Sequence, residues 1–320
     1  MTSSKRYYKE IDSLKGFSIF LVVLGHAIIY FPINLHENVY CEILFKILSS
    51  VHMPLFFAIS GFCFSYRDNY REFILKKIKR LVIPYFVFNL LDIIPRTMLQ
   101  QLVNRPQSIP DSIKDILLYG GEYWFLYTLF VIFIIYPIIH KFQSKSFIRQ
   151  IIVGVVLLAA AIVKKPTNIF TLSAVSYYLV FFNFGALLKA NNVRVFKLKL
   201  PRPQVLLPVG LTILWTSLLF SPWENQLEIV ISLTGIIVCC CLTKLNAFND
   251  IFSRFGKFSL QIYLLNGFML VISRTIICGI TDMPIAIICF NVFIDFLLSY
   301  LVIKYICNRF SFVRALMGMD

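Results

Sequence analysis

Ten apolar stretches divide the chain, at approximately 16–34, 48–66, 81–99, 123–140, 147–163, 169–188, 205–220, 227–243, 258–278 and 284–303. A helix of about 20 residues crosses the roughly 30 Å of bilayer hydrocarbon, and most of these stretches approach that length. Apolar residues occupy all sides of such helices rather than one stripe, the pattern of helices packed among lipid and one another. The stretches are separated by short polar, basic or Pro/Gly-punctuated connections. The expected fold is all-α: a polytopic integral membrane bundle of about ten transmembrane helices, a single domain over residues 1–320. No internal repeat, low-complexity tract or appended soluble domain interrupts the pattern.

The polar exceptions carry more information than the apolar rule. In the first stretch, Glu10, Asp12 and Lys15 precede an apolar run from Gly16 to Ile33 whose one ionisable side chain is His26. An imidazole among Leu, Val and Ile is costly unless it is held, so it is a functional candidate by default. Lys15 and His26 are eleven residues apart, which at about 100° per residue returns them to nearly one helix face. The same separation places His26 roughly 16 Å further along the axis. Asp12, three residues from Lys15, is placed to orient it.

Composition agrees with the patterning. The 320 residues are 58% hydrophobic with mean hydropathy +0.77, too apolar for a soluble domain of this size. The net charge of +15 would suit nucleic acid, but most Lys and Arg fall in alternate connections. That asymmetry is a topology signal, placing the chain in the cell's inner (plasma) membrane with both termini cytoplasmic. Lys164 and Lys165 break the rule. The first apolar run is too long for a cleaved signal peptide and no A-x-A-like site follows it. The eight cysteines show no metal-site spacing, and neither metal nor nucleic acid is expected as a partner.

Further polar positions follow in order. His52 is expected at the outer end of the second span, with Pro54 at a helix start, and Ser60 and Gly61 permit close packing. Arg71, Lys76, Lys77, Lys79 and Arg80 form a basic hairpin ahead of LVIPYF, by default a solvated cytoplasmic loop or an anionic-lipid contact. Asp92 and Arg96, four apart in the third span, are spaced to pair. Residues Gln100 to Glu122 are read as the longest outer connection. Tyr123 and Trp124 suit an interfacial belt. The connection containing KLKLPRPQ is basic, Trp223 and Glu224 lie in an outer loop, and the ninth span carries Ser259, Gln261, Tyr263 and Asn266. Asp295 is an intramembrane acid for which Arg274 is the expected partner. His36 and His140 receive no role.

Four segments, IDSLKGFSIFLVVLGH, VHMPLFFAISGF, KKIKRLVIPY and FGKFSLQIYLLNG, together with Trp124–Leu126, resemble acyltransferase family 3 membrane proteins. The resemblance implies a ten-helix bundle that moves an acyl group, usually acetyl from acetyl-CoA, to a sugar hydroxyl of a surface polysaccharide or its lipid-linked precursor. It maps the family's basic residue and histidine onto Lys15 and His26, where many members have arginine in place of Lys15. Lysine keeps the charge but lacks the planar fork. Lys77 and Arg80 map to contacts for coenzyme A phosphates, and Arg71 on the same basic hairpin is the further candidate. Asn266 stands where members often carry histidine.

The chemistry runs parallel. Acyl transfer to an alcohol needs a base to take the hydroxyl proton as it attacks a thioester, and histidine titrates near working pH. His26 is therefore read as general base, or as a transient acyl carrier, and Lys15 as a donor-side anchor. His52, Trp124, Tyr263 and Asn266 are substrate-side candidates. Acetyl-CoA enters as co-substrate with no permanently bound cofactor; the other partners are the glycan or glycolipid acceptor, membrane lipid and, left open, a second copy of the chain. Each site residue has a plainer reading: a helix-bonded histidine, a snorkelling lysine, belt aromatics. A polysaccharide exporter or flippase is the alternative function, though the chain lacks the inverted repeat such transporters use.

Overall fold

The computed structural model describes residues 8–29, 38–66, 69–98, 107–163, 169–191, 206–277, 279–307 and 309–319. Among them are fifteen α-helices and no strand. In chain order these are α1 (Lys9–Ile29), α2 (Val39–Ser49), α3 (His52–Phe62), α4 (Tyr70–Lys77), α5 (Ile83–Met98), α6 (Ile109–Leu118), α7 (Trp124–Gln143) and α8 (Phe147–Ile162). They are followed by α9 (Leu172–Ala190), α10 (Leu206–Leu219), α11 (Glu228–Leu242), α12 (Asn246–Gly256), α13 (Ser259–Ile277), α14 (Pro284–Val302) and α15 (Ser311–Leu316).

Seven stretches are long and apolar enough to cross a bilayer: Lys9–Ile29, Val39–Phe62, Tyr70–Met98, Trp124–Gln143, Ile169–Ala190, Ser259–Ile277 and Pro284–Cys307. The α11–α12 pair is bent by 109° at its break, while α8 and α10 are apolar but shorter. Among the described residues each of the ten expected stretches contains helix, and seven spans are full length, or eight if the bent α11–α12 pair is one. Lys164, Lys165 and the KLKLPRPQ connection lie outside the described residues.

The second span is where sequence and structure part most usefully. It begins at Val39, well before the expected residue 48, because Asn38 caps it by accepting the Cys41 amide at 3.1 Å. It then breaks between α2 and α3. Pro54 has no N–H for the Ser50 carbonyl; that carbonyl instead accepts the Ser232 hydroxyl of α11 at 2.8 Å. His52 consequently sits at a mid-span kink, not at the outer end of the span. A second proline acts likewise in the third span. Pro84 follows a π-helical turn, Ile78–Val82, where the Ile83 amide reaches back to the Ile78 carbonyl. This wider turn joins α4 to α5 in one long stretch.

Two pairs of glycines set the closest helix approaches. A Cβ on Gly16 of α1 would lie 2.0 Å from the Phe252 carbonyl oxygen of α12, and one on Gly256 would lie 1.7 Å from that of Asp12. Likewise Gly61 of α3 faces the Phe182 carbonyl, and Gly185 of α9 faces that of Ala58. Small residues let backbones meet where lipid gives no hydrophobic drive for association. Around the first contact, Phe17 packs edge-on to Phe248 and Phe252, both at 5.2 Å. Helix α1 is thereby held centrally, touching α2, α3, α12, α13 and α14.

The expected outer connection contains a helix of its own. Ser108 caps α6 by accepting the Asp111 amide at 3.3 Å, and Pro110 occupies its first turn. Arg96 ties this region down. Its Nε donates to Asp92 at 2.5 Å as the spacing predicts, an Nη donates to Gln107 at 2.8 Å, and the other Nη pairs with Glu122. The tight turn before α7 is glycine by necessity, since Gly120 and Gly121 both have positive φ.

Candidate active site

Helices α1 and α13 bring His26 and Asn266 together. The Asn266 amide nitrogen lies 2.5 Å from His26 Nδ1, across 240 residues of sequence. Asn266 is 1% exposed, and its Oδ1 is buried without a hydrogen-bond partner. An asparagine at this place can hold the imidazole in one orientation, with carbonyl and amide faces available by a half-turn of the side chain. Sequence alone gave Asn266 a substrate-side role; the fold makes it a direct partner of the candidate base. The signal for this was an amide among the few polar residues of the ninth apolar stretch.

His52 approaches the same region from α3 and lies within electrostatic range of His26. Its Nδ1 is 2.7 Å from the Leu48 carbonyl, one turn back. A carbonyl only accepts, so Nδ1 bears the proton and Nε2 presents a lone pair. The kink that Pro54 creates thus sets the tautomer of His52. Each of these two imidazoles, on α1 and α3, has a hydrogen-bond partner at Nδ1.

Aromatic rings wall this region. Tyr263, one turn before Asn266 on α13, meets Tyr123 edge-on at 5.8 Å and Phe125 at 5.6 Å. Phe125 also packs on Phe57 at 5.0 Å, and Phe57 stacks on Tyr178 at 4.4 Å. Trp124 stacks on the same Tyr178 at 5.6 Å. Trp124 and Tyr263 therefore belong to one continuous aromatic layer joining α3, α7, α9 and α13, rather than to a scattered belt. The Tyr123 hydroxyl closes it by donating to the Leu264 carbonyl at 2.9 Å.

The basic candidates lie apart from the imidazoles. Lys15, near the start of α1, donates to Asp12 at 3.3 Å as its spacing predicts, and keeps 29% of its side-chain surface exposed. Lys77 stands over the Phe133 ring at 3.8 Å and near that of Phe73 at 5.3 Å, a cation–π seat between α4 and α7. Arg71 and Arg80 are exposed. Asp295 does not meet its expected partner. Both of its oxygens are buried without a hydrogen bond, while Arg274 Nε donates to the Leu270 carbonyl at 3.0 Å and Ser273 takes up Asn291 at 2.8 Å. Arg274 lies on α13 about one turn beyond the level at which α14 presents Asp295, since Ser273 is matched with Asn291.

Comparison with known proteins places these features in context. A family profile described as an acyltransferase domain, that of acyltransferase family 3, matches residues 8–304. The nodulation protein NolL of Mesorhizobium japonicum is 27% identical over 141 residues, 43% of this chain. The match spans 37% of that relative's own length. No solved structure matches the chain.

Proposed function

The chain belongs to acyltransferase family 3, and from that premise we propose that it is a membrane O-acyltransferase carrying an acyl group, acetyl by preference, from acyl-CoA to a sugar hydroxyl of a surface glycan or its lipid-linked precursor. The observation that carries this reading is the His26–Asn266 contact, with a second imidazole, His52 of α3, close enough to act on His26 electrostatically. Acyl transfer needs a base that takes the hydroxyl proton while the alcohol oxygen attacks the thioester carbon.

His26 supplies that base. With the Asn266 amide nitrogen toward Nδ1, the ring proton sits on Nε2; a half-turn of the amide gives Oδ1 the partner it lacks and moves the ring proton to Nδ1. Nε2 then carries the lone pair a base requires. It accepts the acceptor hydroxyl's proton as the new C–O bond forms, and the thiolate of coenzyme A leaves as the tetrahedral centre collapses. His52, whose Nε2 is already an acceptor, orients the incoming hydroxyl.

The donor approaches from the end of the bundle bearing Lys15, Lys77, Arg80 and Arg71, whose charges suit coenzyme A phosphates. The basic connections support a cytoplasmic orientation for this end, with the chain in the inner membrane. Membranes containing the wild-type chain will transfer label from acetyl-CoA to glycan. A deletion strain that leaves glycan composition unchanged but retains it inside the cell would instead establish an exporter.

A further inference from the structure

A cleft on the molecule lies outside the imidazole pair. It encloses about 300 Å³ between the α2–α3 kink, α9, the end of α10, the loop at 221–227 and the start of α11. We propose that this cleft is the acceptor subsite, built to seat an uncharged, monosaccharide-sized unit. The inference rests on the acyltransferase reading and adds where the sugar binds and which groups read it.

The lining argues for a sugar over an anion or a lipid tail. Its polar side chains are Lys46, Ser49, Ser50, Tyr177, Glu224, Asn225, Glu228 and Ser232, with Tyr178 supplying a ring. Lys46 is neutralised by its ion pair with Glu224 and rests 5.2 Å from the Phe220 ring. Glu228 makes no ion pair among the described residues, leaving the lining with one net negative charge, which disfavours a phosphate. A carboxylate accepting from adjacent hydroxyls, an amide, and rigid tyrosines against the ring's C–H face are complementary to a sugar. The volume sits at the low end of small-molecule sites, suiting a single sugar unit rather than a long chain.

Position supplies the second argument. Ser50 and Pro54, which line the cleft, bracket His52 in sequence, so the kink that fixes the His52 tautomer also forms part of the cleft wall. Ser232 pins that wall from α11 through Ser50. Tyr178 is stacked on Phe57 and Trp124, which links the cleft to the aromatic layer beside His26. The cleft lies at the loop between α10 and α11, and the charge pattern puts that loop on the side opposite the donor's basic groups. A sugar seated there abuts the α2–α3 kink that carries His52, while the thioester arrives from the other side.

The test uses the full-length protein in membranes of a deletion strain retaining its unmodified glycan, with labelled acetyl-CoA as donor. Glu228→Gln and Tyr177→Phe, changes that preserve shape, will raise the apparent KM for glycan by roughly tenfold or more each, as expected for lost charge-assisted hydrogen bonds. The apparent KM for acetyl-CoA will stay at its wild-type value, which also reports an intact fold. An unchanged glycan KM in the Glu228→Gln/Tyr177→Phe double variant, or a shift in the acetyl-CoA KM instead, overturns the subsite. Absence of labelled glycan with the wild-type protein would overturn the acyltransferase reading itself, a result distinct from either.

Discussion

Asn266 of α13 reaches His26 of α1 at 2.5 Å, joining the two residues that stand out most from their apolar helices. An orienting hydrogen bond on Nδ1 decides which ring nitrogen can take a proton, so this pair sets the chemistry of the proposed base as well as its position. Asn266→Ala should lower kcat about 10- to 100-fold with little change in either KM, in line with general-base contributions. Asn266→His, which keeps a hydrogen-bonding group at this place, should keep substantial activity. Steady-state transfer assays on matched membrane preparations distinguish these outcomes from a simple loss of protein.

His52 should separate from His26 kinetically. Its Nδ1 is occupied by the Leu48 carbonyl, leaving Nε2 to accept from the glycan hydroxyl. His52→Ala is expected to raise the glycan KM more than it lowers kcat. A kcat collapse equal to that of the His26 variant would assign the proton transfer to His52 instead.

Gly16→Ala and Gly256→Ala each push a methyl into a backbone carbonyl of the facing helix. Neither neighbour is the tip of a flexible side chain, so α1 and α12 must separate. Overpacking of this kind costs about 1–3 kcal/mol, and the close approach puts these sites at the upper end. Thermal unfolding in detergent should show a lower midpoint for both, whereas Gly154→Ala, which meets nothing within 4 Å, should leave it unchanged.

Arg96 compensates two carboxylates, Asp92 and Glu122, with its side chain 7% exposed. Arg96→Met leaves both without their cation. Breaking such a pair costs roughly 3 kcal/mol, less where a partner keeps contact with water, as Glu122 does at 32% exposure. The loss should appear as faster protease cleavage around α6, which Arg96 anchors through Gln107.

Much of the helical layout was legible because lipid imposes one rule on every residue of a span, and that rule is written in composition. Even the Asp92–Arg96 and Asp12–Lys15 pairs could be read, since both are set by the turn of a single helix. Contacts between helices were not. Nothing local to Asn266 names His26, and nothing local to Asp295 shows that Arg274 lies a turn away from it. The kink at His52 was misplaced because Pro54 reads equally well as a helix start or as a break, and the Ser232 hydroxyl that decides the matter lies 182 residues beyond Ser50, whose carbonyl it meets. Helix α6 was missed although Ser108, Pro110 and Asp111 carry its start signal, because proline-rich composition pointed to a loop.

The central claim is that His26 performs the proton transfer. The direct measurement is label passed from acetyl-CoA to glycan by membranes carrying wild-type or His26→Ala protein at equal expression. Loss of a general base lowers the rate by about 100-fold or more, so the variant should fall to the background of the deletion strain. Transfer at the wild-type rate by the alanine variant would contradict the account.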